Sequence, residues 1–341
     1  MEGNTAPVRT AVGGASPVLA LALLLCAGLF AACLASLYIG AQDVSVATIF
    51  RSFTAYDPAN VQEMIVRTLR LPRLLAALLC GASFAVAGAL MQGVTNNPMA
   101  SPSILGINAG AGFGLAVFMI LFPQGSLSVS LLFSIAGAGL ATLAIFFLAQ
   151  AKGAGRGPVF LALAGTAIGA VFGAVTQAMT VYFEVAQDLS YWTAGGISGV
   201  RMEQAVFILP WTLMGLAMSI ARSVTLLSFG EEVAVGLGSK IGRIRLVAGV
   251  TVLLLAGSAV AVAGPVGFVG LVTPHIARKI VGIDYRKVIP ISALLGALLV
   301  TLADIAARTI PPPFETPLGA VTALIGVPFF LYLIRRGRNR R

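Results

Sequence analysis

The sequence is poor in charged residues and rich in apolar ones. Only 10% of its 341 residues are Asp, Glu, Lys or Arg, and 58% are hydrophobic. Soluble domains carry about 25% charged residues, because their surfaces face water. A chain with this balance has too little polar side chain to cover a soluble core, so the composition indicates an integral membrane protein.

Cysteine and histidine are scarce, which excludes most disulfide and metal chemistry. The three cysteines, Cys26, Cys33 and Cys80, lie in apolar stretches and are interpreted as packing residues. His275 is the only histidine; it follows a proline near a basic segment and is interpreted as a structural hydrogen-bonding residue. No His, Cys and carboxylate residues have the spacing of a metal site. We therefore expect no metal site in this chain.

The sequence also lacks the residue patterns of an enzyme. No nucleophile and base stand in a catalytic arrangement. A phosphate-binding loop needs a glycine directly before a lysine that Ser or Thr follows, but the four lysines follow Ala151, Ser239, Arg278 and Arg286. If ATP drives this protein, a separate chain must bind it. The net charge of +10 does not indicate a nucleic-acid partner, because no soluble basic domain is present.

Long apolar runs dominate the chain, and strand-type alternation, which a membrane β-barrel would need, is absent. A membrane-spanning helix needs about 20 apolar residues. Ten stretches meet or approach this length: 18–39, 74–94, 104–122, 127–150, 159–183, 205–221, 246–264, 266–281, 288–307 and 317–334. We therefore predict an all-α polytopic membrane protein with about ten transmembrane helices.

The basic residues are unevenly distributed between the predicted loops. With the N-terminus inside, 16 of the 22 Lys and Arg residues fall on the cytoplasmic side, whereas acids such as Asp43, Glu184 and Glu315 fall outside. Short cytoplasmic loops carry an excess of Lys and Arg. We predict that both termini are cytoplasmic, with an N-terminal segment over 1–17, a ten-span domain over 18–334 and a basic tail over 335–341.

The polar stretch 222–245 lies between two apolar spans and has the pattern of a short capped helix. Ser228 and Glu231 have the spacing of a capping box, and Gly236 and Gly238 supply a helix stop. The spacing predicts a cytoplasmic helix over 229–235, flanked by basic residues. A short ordered helix on this face would present a surface to a partner; an ordered connecting loop is the alternative.

Three arginines stand against the charge bias, on the predicted outer side. Arg67, Arg70 and Arg73 form the run RTLRLPR, and exposed cations here would fit an anionic partner surface. The alternative is that they extend to the membrane interface at the start of the second span. Asp304 and Arg308, four residues apart, can form an ion pair along one helix face, or Asp304 could couple transport to protons.

A faint internal repeat connects the two halves of the chain. Residues 81–88, GASFAVAG, resemble 257–264, GSAVAVAG, and a proline follows ten residues later in each copy. The copies lie five spans apart and so run in opposite directions, which predicts inverted-topology repeats over about 70–183 and 246–334. Two segments, 95–103 and 264–270, break the apolar pattern and are predicted to be pathway-associated, at Asn97, Pro98, Gly264, Pro265 and Gly267.

Eight motifs in order complete the pattern. They are Arg70-Leu-Pro-Arg73; Gly88 to Gly93; Asn97-Pro98 with Leu105 to Gly110; Leu226 to Gly238; Gly267 to His275 with Arg278; Leu302-Ala-Asp304 with Arg308; Glu315 to Gly319; and Leu324 to Pro328. Together they resemble the permease family of iron–siderophore, haem and vitamin B12 ABC importers, over about residues 65–334. Ser101 departs from the Asp or Glu that the family often has before this proline.

The resemblance implies a transport subunit of the bacterial cytoplasmic membrane that carries no cofactor. Two permeases, identical or different, would pair above two ATPase subunits that hold ATP and Mg²⁺. A coupling helix would enter a groove on the ATPase; the matching positions are Ser228, Gly230, Glu231, Glu232, Ala234, Gly236, Leu237 and Gly238. In the vitamin B12 importer, arginines at positions matching Arg70, Arg73 and Arg308 meet acidic residues of the substrate-binding protein.

The expected cargo is a ferric siderophore, carried inward as an intact chelate. Haem and cobalamin stay open within the same family, because the pathway there is mostly apolar. An ion-driven secondary transporter would need several buried ionisable groups, and only Asp304 is available. A receptor or scaffold without a pathway would need neither the broken segments nor the repeat.

Overall fold

The computed structural model of the protein describes residues 16–40, 42, 44–150, 158–208, 220–310 and 315–338. Within these ranges the regular structure is entirely helical, as predicted. Most of the N-terminal segment 1–17, most of the predicted span 205–221 and the end of the basic tail lie outside the described residues.

The helices follow one another along the chain with short connections. They are α1 (Ser16–Tyr38), α2 (Val46–Thr54), α3 (Val61–Ile65), a π-helical stretch (Val66–Arg70), α4 (Leu71–Val94), a 3₁₀ turn (Pro102–Leu105), α5 (Ile107–Leu121), α6 (Leu127–Gln150), α7 (Pro158–Tyr182), α8 (Ala186–Thr193), α9 (Met202–Phe207), a helical segment over 220–228, α10 (Glu231–Gly236), α11 (Ile241–Ala263), α12 (Val269–Val281), α13 (Tyr285–Thr309) and α14 (Leu318–Arg338).

Among the described residues, six helical segments are long and apolar enough to cross a bilayer. They are Val18–Tyr38, Val61–Val94, Leu127–Leu148, Leu163–Tyr182, Ile241–Ala263 and Tyr285–Thr309. Ile107–Leu121 and Leu318–Leu331 are shorter apolar helices at two further predicted spans. The chain is therefore an all-helical, multi-pass membrane protein.

Two predicted spans differ from the helices observed. The second was predicted to begin at residue 74, but helix runs without a break from Val61, and its π-helical stretch ends just before Pro72. Such a widened turn accommodates a proline, which has no N–H to donate. The eighth was predicted over 266–281, but α12 has only 13 residues, or about 20 Å of helix, because Phe268 adopts φ +67 and starts the helix late.

Helix α4 forms the centre of the fold. Its apolar window is 83% buried, against 11% for that of α1 at the periphery. It packs against α11, α12 and α13, and its neighbours contribute small residues at the contacts. Lipid is as apolar as a leucine side chain, so membrane helices gain little from burying apolar surface and rely on close packing instead.

Pairs of glycines bring the backbones of these helices together. A Cβ added to Gly88 would lie 1.9 Å from the carbonyl oxygen of Gly270 in α12, and one added to Gly81 would lie 2.3 Å from that of Gly296 in α13. No side chain fits at either position. The helices therefore meet at backbone distance, and the glycines are required by this contact.

The repeated segments lie in helices that contact each other. Residues 81–88 are inside α4, and 257–263 form the last turns of α11; the Cys80 thiol donates to the Ala259 carbonyl oxygen over 3.7 Å. The two copies differ in one respect. Gly88 is followed by six more helical residues, whereas its counterpart Gly264 adopts φ +67 and ends α11.

Replacing Gly88 with alanine should destabilise the fold. The new methyl group would force α4 and α12 apart, and overpacking of this kind costs roughly 1–3 kcal/mol in the free energy of unfolding. Thermal unfolding of the purified protein in detergent would measure the loss. Gly173→Ala is the matched control, because nothing lies within 4 Å of a Cβ at Gly173; equal unfolding temperatures for both variants would contradict the contact.

Candidate functional site

Five ionisable residues meet at one end of α4 and α13, and we call them the arginine cluster. They are Arg70, Arg73, Asp304, Arg308 and Glu315. Together with Gly40, Gln42, Ile65, Leu69, Ser198 and Gly199 they line a pocket of about 360 Å³. The cluster thus combines three guanidinium groups with two carboxylates around an open cavity.

Asp304 is the buried centre of this cluster. Its side chain is 1% exposed, and its Oδ1 accepts from Arg73 Nε over 2.9 Å. Its Oδ2 lies 3.0 Å from Arg308 Nη2, one turn further along α13. The i,i+4 pair predicted from the sequence is therefore formed, and a second arginine from α4 joins it. Two cations around one buried carboxylate compensate a charge that would otherwise be costly at this depth.

Arg73 holds a second carboxylate at its other edge. Its Nη1 donates to Glu315 Oε1 over 2.7 Å, and the Glu315 side chain is 40% exposed. Burial alone would raise the pKa of Glu315, but the hydrogen bond and charge of Arg73 outweigh it and hold that pKa below its usual value. A hydrogen bond from the Ser198 side chain acts in the same direction, so Glu315 is ionised at neutral pH.

The other two arginines cap the C-terminal end of α1. Arg70 Nη1 donates to the carbonyl oxygens of Leu37 at 2.6 Å and Tyr38 at 2.8 Å, and its Nη2 donates to that of Gln42. Arg308 Nη1 donates to the carbonyl oxygens of Ser36 and Ile39, each over 3.2 Å. Cations stabilise a helix C-terminus by bonding its free carbonyls and offsetting its dipole.

The expectation of exposed arginines in this cluster is wrong. Arg70 is 6% exposed, and the side chains of Arg73 and Arg308 are 12% and 8% exposed. The sequence could not indicate this, because most of their partners come from α1 and from the other half of the chain. Arg67 is the exposed member of the RTLRLPR run, with its guanidinium 4.4 Å from the centre of the Tyr56 ring.

A second candidate site, the coupling segment, comprises residues 228–238. The predicted capping box does not form: the Ser228 hydroxyl donates to the Thr225 carbonyl oxygen over 2.7 Å, and α10 begins after Gly230 with no side-chain cap. Ser228 ends the helical segment over 220–228, and a serine there readily bonds the preceding turn. Glu231 forms an ion pair with Arg245 instead.

The predicted helix stop of the coupling segment is confirmed. Gly238 adopts φ +78, its N–H donates to Val235, and the N–H of Ser239 donates to Ala234. This is the two-bond pattern of a Schellman motif, which glycine favours because it has no Cβ. The segment is thus a defined turn of helix with a fixed end.

The coupling segment carries exposed apolar side chains and is bonded to the core helices. Phe229 is 55% exposed, Val233 47% and Leu237 63%, while Ala234 beside them is fully buried. The helical segment before it is held at three points. The Tyr285 N–H donates to the Thr225 hydroxyl over 2.9 Å, the Asn96 amide donates to the Leu227 carbonyl over 3.2 Å, and Val224 packs on Gly93.

The two broken segments lie at different places in the fold. Asn97 and Pro98 follow the end of α4 beside the coupling segment, where the Asn97 side chain accepts from the Met99 N–H over 2.9 Å. Gly264 and Pro265 lie at the other end of the molecule: a Cβ on Gly264 would be 2.3 Å from the Trp192 carbonyl oxygen, and the Pro265 carbonyl is close to Gly195 and Gly319. Gly267 has open space around it.

Removing the charge of Asp304 should destabilise the protein. Asp304→Asn leaves two buried guanidinium groups without their shared counter-ion, and breaking a buried pair in this way costs about 3–5 kcal/mol in the free energy of unfolding. Thermal unfolding in detergent would measure it. Asp284→Asn is the control, because Asp284 is the N-cap of α13 and asparagine caps equally well. An unchanged unfolding temperature for Asp304→Asn would contradict the role assigned to it.

Comparison with known proteins gives a consistent match along the chain. The model of the FecCD transport family matches residues 28–336. The iron(3+)-hydroxamate import system permease protein FhuB of Bacillus subtilis (strain 168) is 46% identical over 318 residues, covering 93% of this chain and 82% of that protein. The Fe(3+) dicitrate transport system permease protein FecC of Escherichia coli (strain K12) is 41% identical, covering 87% and 90%.

A solved structure has the same fold. It is that of a metal-chelate type ABC transporter in an inward-facing conformation, with a TM-score of 0.81 and 26% identity, covering 93% of this chain and 99% of that one. The family match extends over most of the chain, and the relatives named above are permeases rather than enzymes. The chain therefore belongs to the FecCD transport family.

Proposed function

We propose that this chain is the membrane-spanning subunit of an ABC importer that carries a ferric siderophore into the cell. The observation that carries the proposal is the identity to permeases of three iron-chelate systems: 46% to the hydroxamate permease, 41% to the dicitrate permease, and 36% to the ferric enterobactin permease FepD of Escherichia coli (strain K12), which is matched over 98% of both chains. Haem and cobalamin are the alternative cargoes within the same family.

The proposed topology has ten spans, cytoplasmic termini and inverted repeats over about 70–183 and 246–334. Its support is the direction of the two repeat helices. Helix α4 begins near the arginine cluster and ends at the coupling segment, where Gly93 meets Val224. Helix α11 begins after Arg245, which is bonded to Glu231, and ends at Gly264 near Gly195 and Gly319. The two helices thus run in opposite directions, as an inverted repeat requires.

Two ATPase subunits are the proposed partners at the coupling segment, with a second permease, most simply an identical copy, beside this one. The exposed Phe229, Val233 and Leu237 form an apolar surface of the kind that enters a groove on a partner. The bonds from Thr225 to Tyr285 and from Leu227 to Asn96 connect that surface to α13 and α4. Movement of a docked ATPase would therefore reach the core helices directly.

Uptake of labelled substrate tests the cargo and the coupling segment together. This chain would be expressed with the ATPase and substrate-binding protein encoded beside it, in cells that lack their own siderophore permease, and supplied with ferric siderophores, haem and cobalamin in parallel. Ferric siderophore uptake is expected, and Leu237→Asp should reduce it at least about tenfold, because a charge is costly in an apolar groove.

Ile283→Asp is the matched control for this experiment. Ile283 is 50% exposed, lies in the predicted cytoplasmic loop between α12 and α13, and is outside the coupling segment. Uptake should survive this change. Haem or cobalamin uptake in place of the chelate would reassign the cargo, and uptake that needs no ATPase would overturn the proposed energy source.

The substrate-binding protein is the proposed partner of the arginine cluster, through Arg70, Arg73 and Arg308. Arg73 is the most accessible of the three, so Arg73→Gln should weaken docking about tenfold or more and make the remaining binding less salt-sensitive. Affinity would be measured on the permease in nanodiscs over a range of salt. Arg51→Gln is the control, because Arg51 is 61% exposed and lies outside the cluster. Equal affinities for both variants would refute the docking site.

A further inference from the structure

We propose that Glu315 is an internal counter-ion that occupies the outer edge of Arg73 and is exchanged for a carboxylate of the docking partner. The inference rests on the proposed docking at the arginine cluster and explains how it can work there. Buried and paired arginines cannot bind a partner's acidic residue unless an internal partner gives way. The structure shows which of the internal partners is able to do so.

The two carboxylates that hold Arg73 differ in their access to water. Asp304 bonds the Nε edge over 2.9 Å and is 1% exposed, so water and a partner cannot reach it. Glu315 bonds Nη1 over 2.7 Å and is 40% exposed. An ion pair with a solvent-exposed member contributes little net stability, because water solvates the charge when the pair opens. Glu315 is therefore the replaceable ligand, and Asp304 keeps the guanidinium aligned while the exchange takes place.

The charge balance of the pocket favours an incoming carboxylate. Arg70, Arg73, Arg308 and Glu315 all line it, with Asp304 behind them. Three guanidinium groups face two carboxylates, so the cluster keeps an excess positive charge even when Glu315 is in place. A partner carboxylate that enters the pocket is attracted by this excess and can take over the Arg73 Nη1 hydrogen bond. The displaced Glu315 side chain then returns to water.

Only the Glu315 side chain has to move. The next residue, Thr316, is fixed by its N–H, which donates to the Ala307 carbonyl oxygen over 3.0 Å, and by its hydroxyl, which donates to the Ile310 carbonyl over 3.3 Å. On its other side Glu315 is held by the hydroxyl of the exposed Ser198. Rotation of one side chain breaks two hydrogen bonds and leaves the backbone in place.

The exchange makes an unusual demand on the mutant. Removing a native ion pair normally weakens a site, but removing an internal competitor should strengthen binding of the external ligand. Glu315→Gln is therefore expected to bind the substrate-binding protein encoded beside this chain about fivefold more tightly than wild type, because Arg73 Nη1 no longer has an anionic partner to give up. Glu315→Asp should keep an affinity close to that of wild type.

Two controls separate exchange from other effects. Glu203→Gln removes the same charge from an exposed residue of α9 and measures the general electrostatic contribution. In the Arg73→Gln background, Glu315→Gln should no longer tighten docking, since the group the two carboxylates compete for is gone. Affinities would be measured in nanodiscs at fixed salt, with thermal unfolding of each variant to confirm a folded protein.

The outcomes distinguish this inference from the docking proposal. If Arg73→Gln leaves affinity unchanged, the docking site itself is wrong. If Arg73→Gln weakens docking but Glu315→Gln weakens it too, or tightens it no more than Glu203→Gln does, Glu315 is only a structural link between α4 and the start of α14, and the exchange is refuted. Tighter docking that depends on Arg73 supports it.

Discussion

The carboxylate of Asp304 imposes the constraint on which this end of the fold depends. A charge that is 1% exposed at the end of a membrane helix must be matched by cations, and they come from two places: Arg308 on the same helix and Arg73 on α4. Arg308 then bonds the C-terminal carbonyls of α1. One buried charge thus specifies how α1, α4 and α13 meet, which apolar packing in lipid would not do alone.

The same two helices connect both candidate sites. Arg73 and Gly93 lie on α4, and Arg308 and Tyr285 lie on α13, so each helix extends about 30 Å from the arginine cluster to the coupling segment. Between the two ends, Gly81 and Gly296 hold the backbones in contact. Helices packed this closely cannot move past each other without a clash. A displacement applied at the coupling segment would therefore move α4 and α13 as a unit, and with them the arginine cluster.

The sequence predicts well those features that depend on neighbouring residues. The helical class, the Asp304–Arg308 pair and the stop at Gly238 all follow from composition or from spacings of a few residues. It fails where partners are distant: Arg73 and Asp304 are 231 residues apart, and no local pattern indicates that they meet. Ser228 shows a third case, since its hydroxyl had two local partners available and bonded the helix before it rather than the one after it.

The difference between the repeat copies suggests how one ancestral element acquired two roles. Helix α4 continues past Gly88 to Val94, and this added length brings Gly93 against Val224 and Tyr285, next to the coupling segment. Helix α11 ends at Gly264, where the absence of a Cβ lets the Trp192 carbonyl approach and where Pro265 meets Gly319. Extending α11 as far as α4 would drive its backbone into these residues. The glycine at 264 therefore adapts the second copy to the packing near the arginine cluster, while the first is adapted to the opposite face.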